Sequence, residues 1–160
     1  MSRRLRLAAA AATVVGLVLS SSASTQGYAL LKSRWDNGPI TMHLKMGSGS
    51  GTLIDGSTSW NQVMVNALTT WNTHIQGAAF SADSESPAPN GDGNGVNTVF
   101  FNTTYYGESF GSSTLAITTE WHIGARRVES DVVFNSRFTF NSYRGDQRGN
   151  TWDIFRVALH

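Results

Sequence analysis

Ser59-Trp60-Asn61-Gln62-Val63-Met64-Val65-Asn66-Ala67-Leu68-Thr69-Thr70-Trp71-Asn72-Thr73-His74-Ile75 carries apolar residues at Trp60, Val63, Met64, Ala67, Leu68, Trp71 and Ile75. That spacing predicts a helix with one wide apolar stripe. Ser59 and Gln62 form a capping box: Ser59 accepts from the backbone N–H three residues on, and Gln62 reaches back. The Trp and Met residues of the stripe read as core. A helix with such a stripe has to lie across a sheet.

The flanks supply the strands. Before the helix, Ile40-Thr41-Met42-His43-Leu44-Lys45-Met46 alternates apolar and polar residues, the period of a strand with one buried face. Gly47-Ser48-Gly49-Ser50-Gly51 ends it as a turn. After the helix, residues 82–96 are polar and contain Pro87, Pro89, Gly91, Gly93 and Gly95, which predicts a surface loop. Residues 98–101, 115–121 and 127–134 read as strands, with a loop over 103–113. Residues 138–143 are aromatic and extended, and 144–150 are polar. The order predicts an α+β fold: a twisted mixed β-sheet of about four to five strands with one long helix packed on it.

Composition narrows the function classes. A chain of 160 residues predicts one domain. Charged residues are 14%, against roughly 25% in average soluble proteins. Twelve basic residues face eleven acidic ones, without the basic stripe that a nucleic-acid binder needs. No cysteine is present, so thiolate metal sites, disulfides and cysteine nucleophiles are excluded. Arg3, Arg4 and Arg6 precede an uncharged Ala/Val/Leu-rich run over 7–19, followed by Ser20, Ser21, Ser22, Ala23 and Ser24. This is the pattern of a secretory signal peptide, 1–24, and the run is shorter than the ~20 residues of a membrane span. Without those three arginines the balance turns slightly acidic. The expectation is a secreted, extracellular protein with no stable membrane insertion.

Near the other end, Thr151 is a candidate helix cap, and Trp152, Phe155 and Leu159 share a face with Ile154 and Ala158. No stop signal follows, and the expectation is a helix that continues past His160.

The stretch Trp152-Asp153-Ile154-Phe155-Arg156-Val157-Ala158-Leu159-His160 resembles the start of the active-site helix of matrixins, a branch of the metzincin zinc peptidases. Upstream features agree in order. Arg34-Trp35 with 40–46 is similar to the family's first strand, 59–75 to its first helix, and 97–101, 115–119 and 128–135 to its later strands. The resemblance is closest to bacterial secreted members. It implies a metzincin-like N-terminal subdomain, with 25–160 as the N-terminal part of a zinc metalloendopeptidase catalytic domain.

In that family the helix continues H-E-x-x-H-x-x-G-x-x-H: the histidines hold zinc, and the Glu takes a proton from zinc-bound water. Of these groups this chain carries the first histidine only, His160, so it is expected to be inactive alone. The resemblance also implies that a polypeptide substrate pairs with the edge strand Leu115-Ala116-Ile117-Thr118, by β-augmentation; the alternative is an ordinary edge strand. Family members often bind calcium, which makes Asp131 a candidate calcium ligand. A solvated carboxylate, or a pair with Arg126 or Arg127, is the competing expectation for Asp131.

Other residues carry less. His43 and His74 read as surface residues, and His122 has no companion ligands at a matching spacing. Asp92-Gly93-Asn94-Gly95 lacks the spacing of a calcium loop and reads as a turn. Gly107-Glu108-Ser109-Phe110-Gly111 matches G-x-S-x-G without the strand–turn–helix context that motif needs. The alternative function is a secreted non-catalytic carbohydrate- or protein-binding module, with Asn102, Tyr105, Tyr106 and Trp121 as its exposed contact residues.

Overall fold

In the computed structural model, which describes residues 32–49 and 51–160, the capping box starts a helix α1 (Trp60–Asn72). The signal-peptide segment 1–24 lies outside the described residues. Ser59 Oγ accepts from Gln62 N at 3.0 Å, as the box requires. The reciprocal half is not made: the Gln62 side chain donates to Asn66 Oδ1, one turn on, at 3.1 Å. Val63, Met64, Ala67 and Leu68 are the buried face, and burying Val, Met and Leu is worth ~1.5–3 kcal/mol each. The helix ends at Asn72, so His74 and Ile75 belong to the following turn.

The helix connects two parallel neighbours, β1 (Gly38–Lys45) and β2 (Ala78–Asp83). Ile40, Met42 and Leu44 of β1 face the core. The strand β2 begins within the post-helix stretch and takes in Ala82 and Asp83, expected as loop. The strand β3 (Thr98–Asn102) pairs with β1 on its other side. A short hairpin, β4 (Thr104–Tyr105) with β5 (Glu108–Ser109), occupies what the sequence presents as an open loop. Then come β6 (Ala116–Ile123) and β7 (Arg126–Asn135), an antiparallel pair with a bulge at Trp121/His122. The sheet order is β2-β1-β3-β7-β6, parallel except for β6 at one edge. This is the mixed α+β architecture expected.

Alternation in β7 sends its residues to two covered faces. Phe134 packs on the helix side with Phe101 and Phe140, ring centroids 5.6 and 5.9 Å away. Val133 packs on the other side with Phe100 and Phe110, beneath Tyr105 and Tyr106 of the hairpin. A strand covered on both faces in this way is an interior strand, and β7 lies between β3 and β6.

The chain then runs through β8 (Thr139–Asn141) and β9 (Thr151–Asp153), a parallel pair, into α2 (Ile154–Leu159). Here the expectation of a Thr151 cap is corrected. Thr151 lies in β9, paired with Thr139, and its carbonyl accepts from Tyr143 Oη at 2.7 Å. The cap is Asp153, whose carboxylate accepts from Phe155 N at 3.2 Å and Tyr143 N at 3.4 Å. Arg156 Nε lies 3.2 Å from its other oxygen. A buried carboxylate suits this place because free N–H groups and the positive end of the helix converge there.

Candidate active-site groove

The edge of β6 and the side of α2 enclose a groove of about 580 Å³. Leu115, Ala116, Thr118 and Val132 line the sheet side; Trp152, Arg156, Val157, Ala158 and His160 line the helix side. The structure therefore brings three of the four expected edge residues to one groove with His160. Ile117 is not among them: the strand's period of two turns it to the opposite face, against the Phe100–Phe110–Val133 cluster. At the end of α2 the groove meets a second, mainly apolar cavity of about 630 Å³. Met42, Met64, Leu68, Val99 and Val132 line it, and His160 stands on its wall as well.

His160 is exposed, and its backbone N–H donates to Arg156 O and Val157 O in the last helical turn. Among the described residues no group of three His, Cys, Asp or Glu side chains gathers to hold a metal ion. One imidazole does not satisfy a zinc site with three protein ligands, so the described residues do not by themselves fit that ion.

Asp131 lies on the far face of the sheet from the groove. Its burial overturns the expectation of a solvated or Arg-paired carboxylate: the residue is 0% exposed. One oxygen accepts from Thr98 N at 2.6 Å and Thr98 Oγ1 at 2.9 Å, and the other from Tyr106 Oη. Arg126 instead meets Asp36 at 2.9 Å, and Arg127 pairs with Glu120. Both oxygens of Asp131 thus accept from donors of the chain, and no second carboxylate ligand set gathers around it among the described residues.

Beside it, Glu129 accepts from Gly93 N at 3.0 Å and from Gly95 N. The expected Asp92–Gly95 turn is thus a strap closed on a buried carboxylate. Gly93 has φ +66°, and a Cβ there would meet Trp121 Nε1 at 3.3 Å, so the strap needs glycine at that position. Sequence reading puts Glu129 on one side of a strand with Asp131 but does not foresee its burial under this strap. The signal was available: Glu129 shares a strand face with Asp131, opposite a loop with alternate glycines.

Burial pushes the Glu129 carboxyl above the ordinary carboxylate range, the Gly95 N–H opposes this, and the negative charge of Asp131 adds to the rise. A raised folded-state pKa means the native protein holds the proton more tightly than the unfolded chain. The resulting stability is full below the ordinary Glu range and is lost as pH climbs through the raised value. Melting temperatures across a pH series should fall over that window. In Glu129→Gln that slope should vanish; an unchanged slope would assign it to another group.

His43 is half-buried, with Nδ1 3.3 Å from Asp83 Oδ2 but not aligned for a hydrogen bond, rather than free on the surface. His74 Nδ1 sits 2.9 Å from Thr70 O and 2.8 Å from Thr73 Oγ1. His122 is exposed at the β6 bulge. Tyr105, Tyr106 and Trp121, expected as exposed binding aromatics, are half-buried. Tyr105 packs on Phe110, and Tyr106 packs edge-on against Trp121.

Comparison of the chain with protein-family models, with curated proteins and with solved structures gives no significant match in any of the three.

Proposed function

We propose that this chain is the N-terminal part of a secreted zinc-dependent metalloendopeptidase of the matrixin type, with a polypeptide substrate lying along β6. The observation that carries the reading is the groove itself: the edge strand β6, with Ala116 and Thr118 on the groove and Leu115 just ahead of the strand, faces a helix capped by His160. An unpaired edge offers backbone donors and acceptors to an extended peptide, and flanking pockets take alternate side chains. His160 is the first zinc ligand on this reading. The ion would polarise a carbonyl and lower the pKa of a bound water. The groups that complete its site and the base are proposed to follow His160.

Calcium at Asp131 is left out, because its oxygens are occupied by Thr98 and Tyr106. The binding-module alternative gains no specific support, since Tyr106 and Trp121 pack against each other and Tyr105 packs on Phe110.

The test starts with the coding DNA. The codon after His160 should encode Glu, in an open frame that runs on to two further histidines. The product of that frame should bind zinc stoichiometrically and cleave an unfolded polypeptide. His160→Ala in that product should lose both, with its circular dichroism unchanged. A different next residue in an open frame, or full zinc occupancy in His160→Ala, would end the proposal.

A further inference from the structure

The two edges of the sheet are not equivalent. At one edge β6 lines the groove. At the other, β2 has β1 as its single strand neighbour, which leaves its outer backbone groups without a ladder. One residue of that outer edge is nevertheless fully paired. Phe80 N–H donates to Asn72 Oδ1 at 2.7 Å, and Asn72 Nδ2 donates to Phe80 O at 2.8 Å.

The chemistry of this pair is specific. The N–H and C=O of one strand residue point the same way, and a neighbouring strand would meet both. A carboxamide carries a donor and an acceptor side by side, as a peptide group does. Asp in its place would offer no donor to Phe80 O, and Gln would be one methylene too long. Asn72 is the last residue of α1, so the crossover from β1 to β2 delivers it to the edge. Its backbone stays in the helix while its side chain serves the strand.

Unpaired strand edges are templates for adding another chain, and proteins protect them. The β2 edge has little other protection. Ser81 and Ala82 are exposed, and no proline lies within Ala78–Asp83.

We propose that Asn72 is an edge guard: its side chain stands in for a neighbouring strand at Phe80 and prevents a second copy of this chain from pairing along β2. The guard does not depend on the peptidase reading. It predicts self-association on loss of one exposed side chain, whereas a simple brace between helix and strand predicts lower stability alone.

The experiment uses the full chain. Asn72→Ala should sediment with a larger mass than the wild-type protein at the same concentration. By the alternation of strand backbone groups, Ala82 N–H faces outward like Phe80 N–H. Ala82→Pro therefore removes an outward donor and spares the β1 ladder. The double variant Asn72→Ala/Ala82→Pro should return to the wild-type mass. Ala82→Lys, a charge on an exposed edge residue, repeats the test without altering the backbone. An Asn72→Ala protein of unchanged mass would overturn the proposal. So would extra mass that persists with both Ala82 substitutions, since the new contact would then lie elsewhere.

Discussion

Asp131→Ala is expected to lower the unfolding free energy by about 3–5 kcal/mol, the sum of two or three buried donors left without acceptors at ~1–3 kcal/mol each. Thr98 N, Thr98 Oγ1 and Tyr106 Oη all converge on this one carboxylate. Thr98 is fully buried, so its N–H has no water to turn to. Tyr106 adds to the loss. Its φ of +50° is rare for a residue with a bulky side chain, and the bond to Asp131 helps to hold it there. One contribution has the opposite sign, because removing Asp131 takes a like charge away from Glu129. Asp131→Asn separates the parts: it keeps an acceptor for Thr98 and removes the charge, so its cost should be nearer 1–2 kcal/mol. Urea unfolding gives the measurement, with the midpoint shifting and the slope unchanged. A cost below about 1 kcal/mol for the Ala variant would mean that the donors find other partners, and that the carboxylate does not organise this face of the sheet.

The buried acid shows where sequence reading reaches its limit. Alternation along β7 places Glu129, Asp131 and Val133 on one face, and that much is legible. Whether the face is wet is decided by what lies over it. The cover comes from the Gly93–Gly95 strap and the Tyr106 hairpin, at sequence separations of 36 and 25 residues. No local pattern reports such a cover. The same limit explains Thr151. A Thr before an apolar periodic run is a sound cap signal, but pairing with Thr139 and the Tyr143 hydroxyl claims it for β9, and the cap role passes to Asp153 two residues on. The strand β2 is hidden for another reason. Ala78–Asp83 holds one large apolar residue, Phe80, and owes its conformation to β1 and to Asn72. By contrast, α1 and the existence of β6 as a strand follow from information within the segments themselves: a 3.6-residue stripe, a Ser cap, and a strand run bounded by turns. The edge placement of β6 is only what the resemblance implies. The groove lies between these cases. Its members are visible in sequence, but which of Leu115, Ala116, Ile117 and Thr118 enters it depends on register against β7.

Phe134→Ala should cost a further ~3–5 kcal/mol, the range for emptying an aromatic position in a closed core. Phe134 is 0% exposed and is ringed by Phe101 and Phe140. In register it stands beside Phe101 of β3 and Ala116 of β6. Strand neighbours on both sides are fixed by ladders and cannot slide in, and Ala116 is too small to fill the space, so most of the cavity should persist. Phe134→Leu retains much of the volume and should lose clearly less stability. The consequence for the groove follows from the same packing. Phe140, against which the ring sits, pairs in register with Trp152 of β9, directly ahead of α2. A cavity at Phe134 thus loosens Ala116 on one wall of the groove and the base of the His160 helix on the other. Hydrogen exchange should accelerate in both β6 and α2 in the Ala variant, beyond the increase that global destabilisation alone gives. If only β6 responds, the aromatic stack does not link the groove walls, and α2 is held by Asp153 and its packing on α1.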